Sequence, residues 1–293
     1  MTLTFKPMLS ADVSDVDLAT LSYPLVASPK LDGVRAIIWE GVAYSRNAKP
    51  IRNHFVQAWA RDLHNLDGEL IVGSATEGNV LGRTQSGVMS FAGMPDFSFH
   101  LFDCIRDDPF RRRLNAVTNS YSHNPRIVPV PHAEIINAGH LREYEASMLA
   151  EGYEGVMLRD AMGPYKHGRS TLREGYLMKL KQFTDGEAVV VGLEEGSVNG
   201  NELERDELGR AKRSKVSSGL TPSGMIGTLL VKDPKWGDLR VAPGTMTHQE
   251  RRFWLNDTTA HGLIGKTIHW RSFGYGMKDK PRFPRFYGIR EDV

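Results

Sequence analysis

The sequence predicts an α+β domain followed by a smaller all-β domain. Three observations predict it. Strand-like and helix-like segments are interleaved ahead of Phe183 without the regular strand–helix–strand repeat of a doubly wound sheet. Beyond Phe183 short β-type runs dominate, separated by Gly and Pro. At 293 residues the chain is long enough for two domains. The change in composition places the boundary at residues 182–185, giving domains over 1–183 and 184–293.

The elements follow in order. Val34–Trp39 is apolar and β-rich after the turn at Gly33, which predicts a strand. Residues 53–64 put Phe55, Trp59 and Leu63 on one side of a helix. Leu66–Val72 reads as a short turn and strand, and 97–105 as an aromatic strand. A helix is expected over 141–151, ending at Gly152, then strands at 155–158 and 176–180. In the second domain 188–193, 226–232, 267–273 and 286–289 read as strands of a small barrel or sandwich. Residues 199–218 are long, polar and without apolar periodicity, which predicts a solvated loop. Its second half concentrates Arg210, Lys212, Arg213 and Lys215, a candidate contact for nucleic-acid phosphates.

Hydrophobic content of 40% and charged content of 25% are those of an ordinary globular protein. The net charge of +2 permits nucleic-acid binding without demanding it, so any basic footprint must be local. The single cysteine, Cys104, rules out an intrachain disulfide and a cysteine-rich zinc site. Its neighbours Phe102 and Ile105 predict a buried thiol. The first twenty residues lack a basic start followed by an apolar run, so no secretory signal is expected. No stretch approaches the roughly 20 apolar residues of a membrane span, and the expected location is the cytoplasm.

The chemistry concentrates in residues 30–35, K-L-D-G-V-R. A lysine becomes a nucleophile once burial or neighbouring cations lower its pKa, which makes Lys30 the candidate. Asp32 is placed to help with a metal or with orientation, and Arg35 offers a fork for phosphate or carboxylate. Further segments follow in order: S-R-N with Arg46, D-G-E with Glu69, and F-H-L-F-D with Phe102. Then come E-G-V-M-L-R with Glu154 and L-M-K-L-K with Lys179 and Lys181, both on one face of a strand. Such cations suit a triphosphate, the carboxylates suit magnesium, and an aromatic face suits a base. Taken singly, each residue has a plainer reading. Phe102 alone is core, Glu69 and Glu154 are ion-pair groups, and the two lysines are the wet face of an edge strand. The joint order is what discriminates.

That order resembles the covalent nucleotidyltransferase superfamily, and within it the ATP-dependent DNA ligases of the compact phage and viral type. The resemblance covers nearly the whole chain and implies specific roles. Lys30 would become covalently adenylated, Arg46 would bind phosphate, Glu69 would contact the ribose and help hold a metal, and Phe102 would stack on adenine. Glu154 would help bind the metal, with Lys179 and Lys181 on the nucleotide phosphate. Arg169, in Y-K-H-G-R-S, resembles a further phosphate-binding arginine. The second domain is implied to be an OB-fold. It ends in a motif resembling R-x-D-K, here Arg290 followed by Glu291, Asp292 and Val293, without the final basic residue. The implied cosubstrate is ATP with Mg2+ or Mn2+, and the implied partner is nicked double-stranded DNA bound by a monomer. The implied roles are replication, repair and recombination. An mRNA capping guanylyltransferase typically has threonine where this chain has Leu31, and an RNA ligase usually lacks the OB-fold. An NAD-dependent ligase needs zinc-binding cysteines. A non-catalytic OB-type binder would not need these lysines and carboxylates in order.

Overall fold

The computed structural model describes residues 3, 5–121, 123–205, 211–214, 216–257, 262–272 and 281–290. It divides into two compact units, the first running to Lys181 with Arg205–Ala211 grouped with it, and the second comprising Gln182–Glu204 and Lys212–Val293. Among the described residues no helix is long and apolar enough to cross a membrane.

In the first unit the chain forms β1 (Ala11–Asp12), β2 (Leu25–Pro29), β3 (Val34–Trp39) and β4 (Val42–Ser45). Then come α1 (His54–Ala60), β5 (Leu66–Val72), α2 (Val80–Met89), β6 (Phe97–Cys104) and α3 (Phe110–Ser120). It closes with β7 (Ile127–Pro129), β8 (Ala133–Ile135), α4 (Ala138–Ala150), β9 (Gly155–Arg159) and β10 (Leu177–Lys181). Two five-stranded sheets result, ordered β1-β10-β9-β2-β8 and β4-β3-β5-β6-β7. The pairs β1–β10 and β6–β7 are parallel. The chain passes from the first sheet to the second at Gly33, where a Cβ would lie 2.4 Å from the Leu70 carbonyl oxygen. Only glycine fits that crossing.

Alternation on β3 sends Ala36 and Ile38 to one face and Ile37 to the other. The first face packs with Val56 and Ala60 of α1, Val88 of α2 and Val117 of α3. Ile37 packs with Tyr44, Tyr165 and Leu177, joining the two sheets. Leu141 of α4 covers the far side of the first sheet.

Several expectations need correction. The helix expected over 53–64 is shorter. Asn53 is its cap, accepting from the Val56 amide at 3.0 Å, and the chain leaves the helix after Ala60 and turns at Asn65 with φ +58°. The helix expected over 141–151 starts earlier because Asn137 caps it through the His140 amide. The sequence reading contained no counterpart of α3. Its buried stripe is Phe110, Arg113 and Val117, so an arginine stands where a hydrophobic pattern needs an apolar residue.

That arginine is satisfied by Asp103, which is fully buried. Arg113 Nε donates to Asp103 Oδ1 at 2.7 Å, and Arg159 Nη1 donates to Asp103 Oδ2 at 2.7 Å. One carboxylate therefore holds two buried guanidinium groups together between β6, α3 and β9. Cys104, next along β6, is buried as expected, and burial pushes its thiol up to about 11.

The second unit contains β11 (Thr184–Asn199), β12 (Leu203–Arg205), β13 (Ala211–Arg213), β14 (Leu220–Asp233) and β15 (Gly237–Val241). They are followed by α5 (His248–Asn256), β16 (Thr267–Ser272) and β17 (Arg285–Ile289). The order β15-β14-β11-β16-β17 closes on itself through Ala242, which pairs with Pro284 and Phe286. That is a five-stranded barrel with a helix between its third and fourth strands, as in an OB-fold. Trp270 fills the barrel, lies over Gly186 and donates through Nε1 to Asp233 at 2.9 Å. The stretch 199–218 is not a plain loop: β12 and β13 form a two-stranded sheet. Asn201 ties its base to the carbonyls of Ser214 (2.9 Å) and Val216 (3.1 Å). An exposed hairpin needs no apolar face, which is why periodicity did not reveal it.

Removing the shared carboxylate would leave two guanidinium groups buried without a counter-ion. Asp103→Asn is expected to destabilise the first unit by about 3–5 kcal/mol in urea unfolding. A loss within the roughly 0–1 kcal/mol of an exposed pair would contradict this account.

Candidate active site

Strands β2, β9 and β10 are neighbours in the first sheet. Lys30 directly follows β2, and its amide donates to the Gly155 carbonyl at 2.8 Å while the Glu154 amide donates back to the Lys30 carbonyl at 3.2 Å. Lys181 at the end of β10 pairs in register with Gly155. The sheet therefore sets Lys30, Glu154 and Lys181 in a row across its edge, at the roughly 4.8 Å spacing of adjacent strands. Gly155 makes the row possible. Its φ is +147°, and a Cβ there would lie 2.3 Å from the Leu180 carbonyl oxygen.

The side chains meet as the backbone dictates. Glu154 Oε2 accepts from Lys30 Nζ, and Glu154 Oε1 accepts from Lys181 Nζ. Burial works against ionising Glu154, yet the two ammonium groups hold its carboxyl below the usual carboxylate range. Burial and the adjacent Lys30 lower the Lys181 pKa, with Glu154 opposing them. Cations around Lys30 were expected, but between Lys30 and Lys181 stands a shared carboxylate. Lys179, on the same face of β10, instead pairs with Asp12 at 2.8 Å.

These lysines line a cavity of about 250 Å³. Arg35, Arg46 and Arg169 line it too, with Glu69 and Phe102. Arg35 was expected to offer its fork to phosphate or carboxylate, and the structure shows a carboxylate partner. Here the fork already grips Asp67, with Nε to Oδ1 at 2.6 Å and Nη2 to Oδ2 at 2.5 Å, and Tyr165 donates to Asp67 at 2.7 Å. Arg35 is therefore a wall of the cavity whose guanidinium is fixed from behind. It also lies over Phe102, 4.9 Å from the ring centroid, with Arg159 at 5.7 Å. Arg169 donates to the Ser10 carbonyl at 2.6 Å.

Glu69 is the most perturbed acid of the cavity. Burial pushes its carboxyl up to about 7 against the pull of Lys30 and Arg35, and the charges of Asp32 and Asp67 push it the same way as burial. Among the described residues no cluster of three or more metal-type ligands exists. Glu69 and Glu154 offer two carboxylates, and magnesium habitually completes its shell with phosphate oxygens and water. The donor set therefore fits a metal that arrives with a phosphorylated substrate.

The structure brings Lys30, Arg35, Arg46, Glu69, Phe102, Arg169, Lys179 and Lys181 to one cavity, with Glu154 behind its lysines. Arg290 belongs to the second unit, where it pairs with Glu187 at 2.5 Å. Arg213 is exposed on β13 and donates to the Asn201 carbonyl. Arg210, Lys215 and the Lys212 side chain lie outside the described residues. The sequence reading missed Arg159, Asp67, Asp103, Tyr165 and Asp12. The first four sit inside the quoted motifs, Tyr165 at the head of Y-K-H-G-R-S, so the signal was there without a role attached; Asp12 carried none.

Glu69 gives a signed pH dependence. Its folded pKa of about 7 exceeds the usual 4.5, so the native state binds more protons between those values. Its stabilising contribution is complete at low pH and is lost as pH rises towards 7. The stability of the wild type relative to Glu69→Gln should therefore fall from pH 5 to pH 8 in paired thermal melts. A constant difference would contradict the assignment.

Comparison with known proteins agrees with this geometry. The family described as ATP dependent DNA ligase domain matches residues 7–181, and the DNA ligase OB-like domain matches residues 219–290. A DNA ligase of African swine fever virus is 28% identical over 138 residues, which is 45% of this chain and 32% of the viral protein. The chain thus spans about a third of the length of the curated viral relatives it matches. The solved Chlorella virus DNA ligase-adenylate is 31% identical, with a TM-score of 0.55 over 99% of this chain and 100% of that one. A structure from work on DNA binding with a minimal scaffold in Lig E DNA ligases is 26% identical, with a TM-score of 0.71 over 98% of this chain and 100% of that one. The chain belongs to the ATP-dependent DNA ligase family.

Proposed function

We propose that this chain is an ATP-dependent DNA ligase that seals nicks bearing a 3′-hydroxyl and a 5′-phosphate in duplex DNA. The observation that carries the reading is the row Lys30–Glu154–Lys181 on the wall of a cationic cavity beside Phe102. Lys30 Nζ gives up a proton to solvent and attacks the α-phosphate of ATP, the bond to the β-phosphate breaks, and pyrophosphate leaves. The AMP then moves from lysine to the 5′-phosphate at the nick. The 3′-hydroxyl attacks that activated phosphate, the phosphodiester forms and AMP departs.

The residues divide the work. Glu154 orients Nζ of Lys30 through a direct hydrogen bond and keeps two ammonium groups together until phosphate arrives. Lys179, Lys181, Arg46 and Arg169 face the phosphates and stabilise charge that builds on them. Phe102 stacks on the base, on a ring held by Arg35 and Arg159. Glu69 takes the ribose, Asp32 assists orientation, and Arg290 orients pyrophosphate. Glu69 and Glu154 would hold a magnesium or manganese ion, which would supply neutralisation of phosphate charge. The lining residues named here all come from one chain, which supports a monomer. The setting is the cytoplasm, or the host cytoplasm for a phage-encoded protein, in replication, repair and recombination.

Incubation with ATP, a divalent ion and a nicked duplex labelled at its 5′-phosphate tests the proposal. The wild type should seal the nick, and Lys30→Ala should reduce sealing to background. Absence of sealing by the wild type would overturn it.

A nick has no fixed sequence, so the DNA contacts are mainly to the backbone. Neutralising Arg210, Lys212, Arg213 and Lys215 together should weaken nick binding and flatten its salt dependence by up to about four units of slope, while self-adenylation is retained. An equal fall in self-adenylation would make the hairpin purely structural.

A further inference from the structure

We propose that Asp12 is a positioning residue, an internal counter-ion that holds Lys179 in the empty cavity and yields it to an incoming phosphate. The inference rests on the reading that the cavity takes a nucleoside triphosphate.

β1 has only two residues and pairs in parallel with β10, setting Asp12 directly opposite Lys179. The Asp12 carboxylate accepts from Lys179 Nζ at 2.8 Å, from Ser14 Oγ at 2.7 Å and from the Ser14 amide at 3.1 Å. Ser14 Oγ in turn accepts from the Lys181 amide at 3.1 Å. Two residues earlier, the Ser10 carbonyl accepts from Arg169 at 2.6 Å, and the Leu9 backbone pairs with Gly168 and Ser170 at 2.8 Å each. One short segment, residues 9–14, therefore fixes the cations on this side of the cavity. Burial opposes ionisation of Asp12, but Lys179 and Ser14 prevail and hold its carboxyl below the usual range.

The two carboxylates that serve the lysines differ. Glu154 is shared by two ammonium groups, and its side chain is 22% exposed. Asp12 serves Lys179, and its side chain is 45% exposed. Exposed single pairs are weak because water screens them. A phosphate, with its higher charge, displaces Asp12 from Lys179 more readily than it displaces Glu154 from its two partners. Asp12 thus makes two same-face lysines tolerable without nucleotide, and its negative charge opposes the phosphates that replace it. Removing only that charge should have opposite effects on the two states. The empty protein loses a counter-ion and melts lower, while phosphate binding tightens.

Inorganic tripolyphosphate is the direct probe, because it fills the phosphate subsites without adenylating Lys30. Protein first freed of any bound AMP with pyrophosphate would be titrated calorimetrically as wild type, Asp12→Asn, Asp12→Glu, Lys179→Met and Asp12→Asn/Lys179→Met. Asp12→Asn should bind about three- to tenfold tighter at low salt, with a lower melting temperature when empty. Asp12→Glu should stay near the wild type. The gain should vanish in the Lys179→Met background, because Asp12 acts through Lys179. Unchanged or weaker binding by Asp12→Asn overturns the proposal, and so does a gain that survives Lys179→Met. Parallel titration of the wild type with ATP separates the two readings. If the wild type binds ATP and Asp12→Asn gains nothing, only the role of Asp12 falls; if the wild type binds neither probe, both fall.

Discussion

Glu154 accepts hydrogen bonds from two lysine ammonium groups at once, and the rest of the first unit is arranged around that contact. Two like charges on adjacent strands repel, and the repulsion grows as water is excluded. A single carboxylate between them turns the clash into a chain of attractive pairs. The geometry follows from backbone alone. β2, β9 and β10 lie side by side, Gly155 lets β9 start hard against β10, and the reciprocal bonds between Lys30 and Glu154 fix the register. Moving any of these strands by one residue would turn a charged group towards the core.

Behind the cavity lies a second layer of charge with a different purpose. Asp67 and Asp103 are fully buried, and each grips arginine. Asp67 fixes Arg35, and Asp103 fixes Arg113 and Arg159. Arg35 and Arg159 reach Phe102 from this anchored layer, so the aromatic wall is backed by guanidinium groups that cannot swing into the cavity. Fixing them in advance spares the ordering cost that a substrate would otherwise meet. Buried ion pairs are a poor route to stability but a good one to fixed geometry.

Much of this was legible in the residues. Val34–Trp39 announced itself by β-rich composition and matched the strand found, whereas Leu66–Val72, read as a short turn and strand, is strand throughout. Lys179 and Lys181 alternate with buried Met178 and Leu180, so a period of two put them on one face. The all-β second domain was visible as short runs split by Gly and Pro, a pattern shared by a barrel and a sandwich. Other features were hidden for physical reasons. β2 is buried throughout and contains Ser28 and Pro29, so it shows no alternation. α2 carries two glycines, and α3 buries an arginine, which defeats a hydrophobic stripe. Asp12 gave no signal because its meaning depends on a strand of two residues finding a partner 167 positions later in the chain, at Lys179. Pairing at such separation is set by tertiary packing rather than by local pattern.

The central claim is that Lys30 is the nucleophile of a covalent nucleotidyl transfer. Intact mass of the protein after incubation with ATP and magnesium tests it most directly, with Lys30→Ala alongside. The account predicts a gain of one AMP on the wild type, absent from the variant and discharged on adding nicked duplex DNA. An adduct that persists in Lys30→Ala would contradict it. So would the absence of any adduct on wild-type protein shown not to be adenylated beforehand.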